Sequence, residues 1–180
     1  GLDMLHANGP LKQIEPFTYF GGIAAGDVNG DGWDDIVLGA GPEPGGLSFY
    51  FNEQGHFARQ EFDLGPIANA FVNATALVDL DNDGALDLFV STYLEGAYVF
   101  YNRGGWFDVL NSKLLPNGDA LMIGAPAFAD LDRDGDLDLY LGINGDAHQD
   151  QPMVRGLTDR LYRNDDGQFV EVTEEAGIYD

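Results

Sequence analysis

Three stretches of this chain repeat one nine-residue pattern of acidic side chains. Each has Asp, or in one case Asn, at positions one, three, five and nine, and each has Gly at position six. Carboxylates packed this closely repel one another unless a cation lies between them. The candidate ligand positions are Asp27, Asn29, Asp31, Trp33 and Asp35 in the first loop, Asp79, Asp81, Asp83, Ala85 and Asp87 in the second, and Asp130, Asp132, Asp134, Asp136 and Asp138 in the third.

The pattern is typical of a calcium loop. Calcium takes six to eight oxygen ligands in irregular geometry, and alternate residues of a tight turn can direct their carboxylates to one ion. Gly at position six permits the sharp bend. Position seven would bind through its backbone carbonyl, which suits the unrelated side chains of Trp33, Ala85 and Asp136. We therefore expect three Ca²⁺ sites; in the first loop, Asp34 competes with Asp35 as the last ligand.

An EF-hand loop opens with the same residues, but it differs from this pattern at position twelve and in the segments on either side. An EF-hand requires a bidentate Glu at position twelve and a helix on either side. Position twelve here is Leu38, Val90 and Leu141, and the flanking segments have the composition of strands. The sequence therefore excludes the EF-hand, and also a dockerin-like loop with Asp at position twelve.

The composition narrows the possible partners and the location. The chain has 31 acidic and 8 basic residues, for a net charge of −23. So few cations argue against binding nucleic-acid phosphates or an anionic lipid surface. There is no cysteine, and in secreted proteins metal sites can replace disulfides. We expect a calcium-rich location that is extracellular, cell-surface or periplasmic. No apolar run approaches the roughly 20 residues of a membrane span, and without a signal peptide at Gly1 we expect a processed form or a fragment.

The loops recur roughly every 50 residues, which indicates a structural repeat. In each copy a run of small residues leads into the loop, a buried strand follows it, and a third strand ends at an Asn-x-x-Gly-x-Phe turn. We predict an all-β fold of three four-stranded antiparallel units, in which Phe57, Phe107 and Phe169 anchor each fourth strand in the core. The predicted segments are a lead-in at 1–16 and repeats at 17–66, 67–116 and 117–180, the last with an inserted loop at about 144–158.

The remaining polar residues do not form a recognisable catalytic motif. The histidines lack zinc spacing, the serines lack a nucleophile elbow, and no spacing links the glutamates outside the loops. Metal-bound carboxylates stay ionised and are poor proton donors. We therefore predict a protein that is not an enzyme. The residues considered are His6, His56, His148, Ser48, Ser91, Ser112, Glu43, Glu61 and Glu95.

The loops, their spacing and the Asn-x-x-Gly-x-Phe turns resemble FG-GAP/VCBS repeats, the blades of integrin-α-like β-propellers. The closing segment 161–178 is similar to VCBS-repeat proteins of the bacterial ASPIC/UnbV and cartilage-acidic-protein type. The resemblance implies one propeller-type blade per repeat, with a Ca²⁺ held between its first two strands by the Asp and Asn side chains of the loop. It also implies an extracellular role in adhesion or interaction.

The number of repeats affects the expected assembly. Known propellers have about four to eight blades, so three blades form a partial propeller or an open array. We expect further blades from a longer chain, or association of copies into a ring or filament. The main hypothesis is a calcium-rigidified extracellular module that binds a protein or glycan. The alternatives are a self-assembling fibre subunit and part of a polysaccharide lyase- or hydrolase-like enzyme.

Overall fold

Three antiparallel four-stranded sheets make up the fold. The computed structural model describes residues 21–39, 46–68, 70–93, 95–116, 121–146 and 158–178. The first sheet contains β1 (Ile23–Gly26), β2 (Asp35–Gly39), β3 (Leu47–Glu53) and β4 (His56–Gln60). The second contains β5 (Val72–Val78), β6 (Asp87–Thr92), β7 (Ala97–Phe100) and β8 (Ser112–Leu114). The third contains β9 (Leu121–Ala129), β10 (Asp138–Asp146), β11 (Arg160–Asp165) and β12 (Gln168–Glu171).

Within each sheet the strands lie in chain order, and every neighbouring pair is antiparallel. Two short 3₁₀ turns, Gly65–Ile67 and Val109–Asn111, complete the regular elements, and the described residues contain no α-helix. No helix in this part of the chain is long and apolar enough to cross a membrane. The predicted all-β class with three four-stranded, propeller-type units is confirmed. The predicted boundaries of the repeats stay predictions, and the lead-in lies outside the described residues.

The hydrophobic core lies between the sheets. Successive side chains of a strand point to opposite faces of the sheet. In β6, Leu88, Phe89 and Val90 are nevertheless all fully buried, so both faces of this strand are covered. Leu88 and Val90 pack in a cluster with Val37 and other residues of the first sheet. Phe89 packs in a second cluster with Leu139 and other residues of the third sheet. The second sheet is therefore covered on both faces, which fixes the order of the three sheets in space.

The first strands of the sheets lie close together. β1 contacts β5, and β5 contacts β9. A Cβ atom built on Gly22, just before β1, would lie 2.3 Å from the backbone nitrogen of Thr75, so only glycine fits at this point. The small residues before each loop thus permit close approach of the inner strands. Pro126 lies in β9 at the edge of its sheet, where a missing N–H is tolerated.

The fourth strands differ from the prediction in two repeats. Phe57 lies in β4 but is 43% exposed, so it does not anchor that strand in the core. Phe107 is fully buried, yet it precedes the 3₁₀ turn and lies outside β8. Its ring is instead 5.8 Å from that of Phe49, between the first and second sheets. Only Phe169 is both buried and within its fourth strand, β12. The turn motif fixed the bend, but the neighbouring sheet determined which ring is buried.

The third repeat also has a longer second strand than expected. β10 continues through residues 144–146, which the sequence placed in the inserted loop. Of these, Gly145 and Asp146 pair with the start of β9, after register shifts between Gly142 and Ile143 and between Ile143 and Gly145. Residues 147–157 of the predicted insertion lie outside the described residues. A bulged pair of strands tolerates Gly142 and Gly145 where a regular strand would be weakened by them.

Candidate metal loops

The three acidic loops share left-handed backbone at two positions. Each connects the first and second strands of its sheet. Position six adopts positive φ in every copy, as the glycines predict, and position four does so too. Position four is Gly30 in the first loop, Asn82 (φ 55°) in the second and Arg133 (φ 69°) in the third. Left-handed backbone at Asn is common, but at Arg it requires the surrounding turn to hold it. No pattern in the sequence predicted this second bend.

Backbone N–H groups turn inward and hold the first aspartate of each loop. In the first loop, Asp27 Oδ1 accepts a hydrogen bond from Gly30 N at 2.8 Å, and its Oδ2 accepts one from Gly32 N at 2.8 Å. In the third loop Asp130 Oδ1 accepts one from Arg133 N at 2.7 Å. These bonds fix the position of the first carboxylate before any cation binds.

The aspartates at position nine are buried, and each accepts two backbone hydrogen bonds. Asp87 accepts hydrogen bonds from Leu80 N at 2.9 Å and from Asn102 N at 2.8 Å. Asp35 and Asp138 accept the corresponding pairs at 2.8–2.9 Å. All three aspartates are at least 98% buried. Each therefore closes its loop onto the end of the third strand of the same sheet.

The second loop contains carboxylate oxygens that lack a partner. Asp79, Asp81 and Asp83 each place an oxygen within 4.8 Å of the other two. Asp79 Oδ1 and Asp81 Oδ1 are inaccessible to solvent and have no hydrogen-bond partner. Buried anionic oxygens without partners are costly, and a cation is the group that would satisfy several of them at once. The residues present therefore fit a hard cation such as Ca²⁺.

The other two loops differ from the second in their details. In the third loop the residues within 4.8 Å of one another are Asp130, Asp132 and Asp138, at positions one, three and nine, whereas in the second loop the group lies at positions one, three and five. In the first loop Asn29 replaces one carboxylate, and its Oδ1 accepts a hydrogen bond from Asp31 N at 3.0 Å. Asp34 is exposed there, whereas Asp35 is buried at the position-nine site. The structure thus places Asp35, and not Asp34, toward the loop.

Burial and charge both act on the acidic residues at position nine. The pKa of Asp87 is raised to about 6: burial is the largest cause, the charges of Asp81 and Asp83 contribute in the same direction, and the hydrogen bonds from Asn102 and Leu80 act against them. Burial is also the main reason that the pKa of Asp35 is raised. A carboxylate that resists ionisation in this way would be stabilised as an anion by a bound cation.

The residues at position seven have three different environments. Trp33 is exposed, and Ala85 is partly buried. Asp136 accepts hydrogen bonds from Asn82 Nδ2 at 2.6 Å and from Asp166 N at 2.7 Å. Its side chain therefore links the second and third loops. The role predicted for the backbone carbonyls of these three residues stays a prediction.

Asn102 and Asn164, near the ends of the third strands of their sheets, have a second role that their sequence pattern did not predict. Asn102 Nδ2 donates to Leu86 O in its own loop at 3.0 Å and to Val28 O in the preceding repeat at 2.8 Å. Asn164 Nδ2 makes the same two bonds, to Leu137 O at 3.1 Å and to Leu80 O at 2.9 Å. Asn102 and Asn164 therefore each tie their own loop to the loop before it. Recurrence of Asn at one place in every repeat was the available signal, although it also fits a simple turn.

The other polar candidates have structural contacts in the described part of the chain. Ser91 Oγ accepts a hydrogen bond from Ala74 N at 3.1 Å, and Ser112 Oγ donates to Val109 O at 2.8 Å. Glu61 is 3.0 Å from Arg59 in an exposed ion pair, and His56 is exposed. The predicted candidates His6, Glu43 and His148 lie outside the described residues.

Side-by-side β-sheets with an acidic loop on the first hairpin of each define a repeat protein with propeller-type blades. The model of the FG-GAP-like repeat matches residues 27–90 and 79–141. The chain belongs to the FG-GAP-like repeat family.

Two curated proteins are similar to part of the chain. Integrin alpha-3 of Mus musculus is 33% identical over 110 residues, which cover 53% of this chain and 10% of that protein. Integrin alpha-3 of Cricetulus griseus is 32% identical over 110 residues, with the same coverage. The chain thus spans about a tenth of the length of these relatives.

Proposed function

We propose that this chain is a calcium-binding, propeller-type interaction module that acts outside the cytoplasm. The observation that carries the proposal is the pair of buried carboxylate oxygens without partners in the second loop, Asp79 Oδ1 and Asp81 Oδ1. The ligands would be the residues at positions one, three, five and nine of each loop, with the carbonyl at position seven. The family match and the likeness to integrin alpha-3 support the interaction role.

Calcium would supply positive charge that offsets the repulsion among the aspartates of each loop. The protein's own residues already form much of each site, because backbone N–H groups orient the carboxylates at positions one and nine. Each loop joins the first two strands of its sheet, so a filled site would stiffen that hairpin. The role of calcium in this proposal is structural, and the module carries out no catalysis.

The location follows from the expected affinity. Extracellular calcium modules often bind in the range of about 10⁻⁴–10⁻³ M, a concentration that the cytoplasm does not supply. A net charge of −23 also favours a partner that is not polyanionic. A protein or a glycan fits this requirement, and the sheet faces and connecting loops are the surfaces available to it.

Removal of calcium tests the proposal directly. Treatment with EDTA should lower the melting temperature sharply, and about 1 mM free Ca²⁺ should restore it, since a ligand at about 1–10 times its Kd adds roughly 0.4–1.4 kcal/mol at each of the three sites. Magnesium at the same concentration is the control and should restore less, because it prefers a smaller octahedral site. Circular dichroism follows the melt, and equilibrium dialysis counts the ions. An unchanged melt after complete removal of calcium would refute the proposal.

A second candidate function is a subunit that assembles with copies of itself. The observation that favours it is the exposure of the Leu131 side chain, which is 56%. The residues at the same loop position in the other repeats, Val28 and Leu80, are only 3% and 1% exposed. In those repeats the next sheet covers the side chain. We propose that a second copy of the chain covers this face of the third sheet. The mass of the particle in solution distinguishes this function from a monomeric module.

A further inference from the structure

We propose that the guanidinium of Arg103 places a permanent positive charge beside the second loop. This charge makes the loop bind calcium more weakly than its carboxylates would without Arg103. The inference rests on the proposed function, because it concerns the same loop. Arg103 Nη1 lies 3.4 Å from Asp81 Oδ2 and 3.4 Å from Asp83 Oδ2. One guanidinium thus contacts two of the three carboxylates that cluster in this loop.

The guanidinium leaves the inner oxygens of the loop open. It contacts Asp81 through Oδ2, with Nη2 at 3.5 Å as well as Nη1. The other oxygen of the same carboxylate, Asp81 Oδ1, is buried without a partner, as is Asp79 Oδ1. Arg103 therefore lies on the outer side of the cluster. From there it would repel a calcium ion on the inner side without replacing it.

Contacts outside the loop hold Arg103 in this position. Its Nη1 donates to the backbone carbonyl of Asn102 at 2.8 Å, and its backbone N–H donates to Trp106 O at 3.0 Å. Its guanidinium carbon lies 5.8 Å from the centre of the Tyr101 ring. The Tyr101 hydroxyl in turn donates to Gly167 O in the third sheet. These contacts reduce the freedom of the side chain, so its charge stays beside the loop.

The same place in the other repeats carries the opposite charge. Arg103 directly follows the Asn that ends the third strand of its sheet; the residues that follow Asn52 and Asn164 are Glu53 and Asp165. Asp165 is 2.9 Å from Arg163 in an ion pair of its own. The second loop alone therefore has a basic residue at this site. This difference sets it apart from the first and third loops.

The arrangement has opposite consequences with and without calcium. Without calcium, Arg103 offsets repulsion between Asp81 and Asp83 and should stabilise the loop. With calcium, its charge opposes the bound ion. A unit charge near a divalent ion at a largely hydrated surface changes affinity by roughly three- to tenfold. The neutral Arg103→Gln variant should thus bind calcium more tightly at one site, yet melt at a lower temperature in EDTA.

Isothermal titration of the full chain with CaCl₂, together with melts in EDTA, tests the inference. In Arg103→Gln, one site should tighten by roughly three- to tenfold and the others should not change. Arg103→Glu, which copies Glu53, should tighten the same site further. The matched control is Arg59→Gln, since Arg59 is similarly exposed and, among the residues that the structure describes, forms its ion pair with Glu61 and not with a loop carboxylate. In an Asp83→Ala background, Arg103→Gln should leave the remaining sites unchanged.

The outcomes separate this inference from the proposed function. If the wild-type chain binds no calcium, the proposed function fails. If it binds calcium but Arg103→Gln leaves every affinity unchanged, only the role of Arg103 is overturned. An Arg103→Gln variant that melts higher than wild type in EDTA would also overturn it, because Arg103 would then not stabilise the metal-free loop.

Discussion

At Asp87, burial and the nearby negative charges of Asp81 and Asp83 act together against the ionised carboxylate. It is fully buried next to Asp81 and Asp83, and burial raises its pKa to about 6. Two backbone N–H groups hold it in place, and they come from residues just after the C-terminal ends of the first and third strands of its sheet. The same aspartate thus closes the loop mechanically, with both carboxylate oxygens accepting backbone hydrogen bonds, and it is the position-nine ligand of the proposed calcium site.

Asp83→Ala tests the second loop at the level of one residue. The substitution removes one of three clustered carboxylates and the hydrogen bond from Ala85 N to Asp83 Oδ1. We expect one calcium fewer than wild type by equilibrium dialysis at about 1 mM free calcium. The control is Asp63→Ala, which removes a carboxylate that accepts from Gly65 N outside the loops. Retention of the full calcium count by Asp83→Ala would contradict the assignment of this loop.

The hairpins and loops of neighbouring sheets are linked by a repeated hydrogen bond. Asn102 and Asn164 donate to the loop of the preceding repeat, whereas the side-chain N–H of Asn52 donates to Asp34 O in its own loop. Through these bonds the loops also set the spacing between sheets. An acidic loop at the edge of one sheet is therefore part of the contact between two.

Asn102→Ala and Asn52→Ala form a matched pair for measuring this link. Both lose the bond within the loop, and only Asn102→Ala also loses the bond to Val28 O. Because a buried acceptor is left unpaired, Asn102→Ala should cost about 1–3 kcal/mol more than Asn52→Ala in the free energy of unfolding. Urea unfolding in excess calcium measures both. Equal costs would show that the bond between sheets adds no stability.

At the scale of the whole molecule, the middle sheet is in a different environment from the two outer sheets. The second sheet is covered on both sides, while Leu131 and Val170 of the third sheet are exposed. The contact between the first and second sheets and that between the second and third use the same loop position and the same Asn. A further blade could continue this interface without a new kind of contact.

Assembly through this face predicts a concentration-dependent mass. In light scattering with calcium present, the chain should exceed the mass of one copy as its concentration rises. Leu131→Asp should return it to a single copy, because a charge would then lie in the apolar contact. Leu110→Asp is the control, since Leu110 is 90% exposed on the 3₁₀ turn. A single-copy mass at every concentration would rule out assembly of this chain with itself.

Local patterns predicted much of the candidate site. Carboxylates at alternating positions, with Gly at position six, depend on the conformation of one turn, and the structure groups Asp79, Asp81 and Asp83 in that turn. The left-handed backbone at Arg133 was not predictable in the same way, because Arg has no preference for it. The buried place of Phe107 between two sheets was missed for a related reason, since its neighbour Phe49 belongs to another repeat.

The sequence by itself determined the all-β class, the repeat and the three acidic loops, because each of these depends on residues that are close together in the chain. Only the tertiary structure decided what joins the repeats. Asn164 donates a hydrogen bond to the carbonyl oxygen of Leu80, 84 residues away. Leu131 is more exposed than Leu80 because no described sheet follows the third one. The contact of Arg103 with Asp81 and Asp83 likewise depends on the fold, which brings the end of a third strand beside the second loop. Contacts between distant segments depend on how whole sheets pack, and no local pattern records that packing.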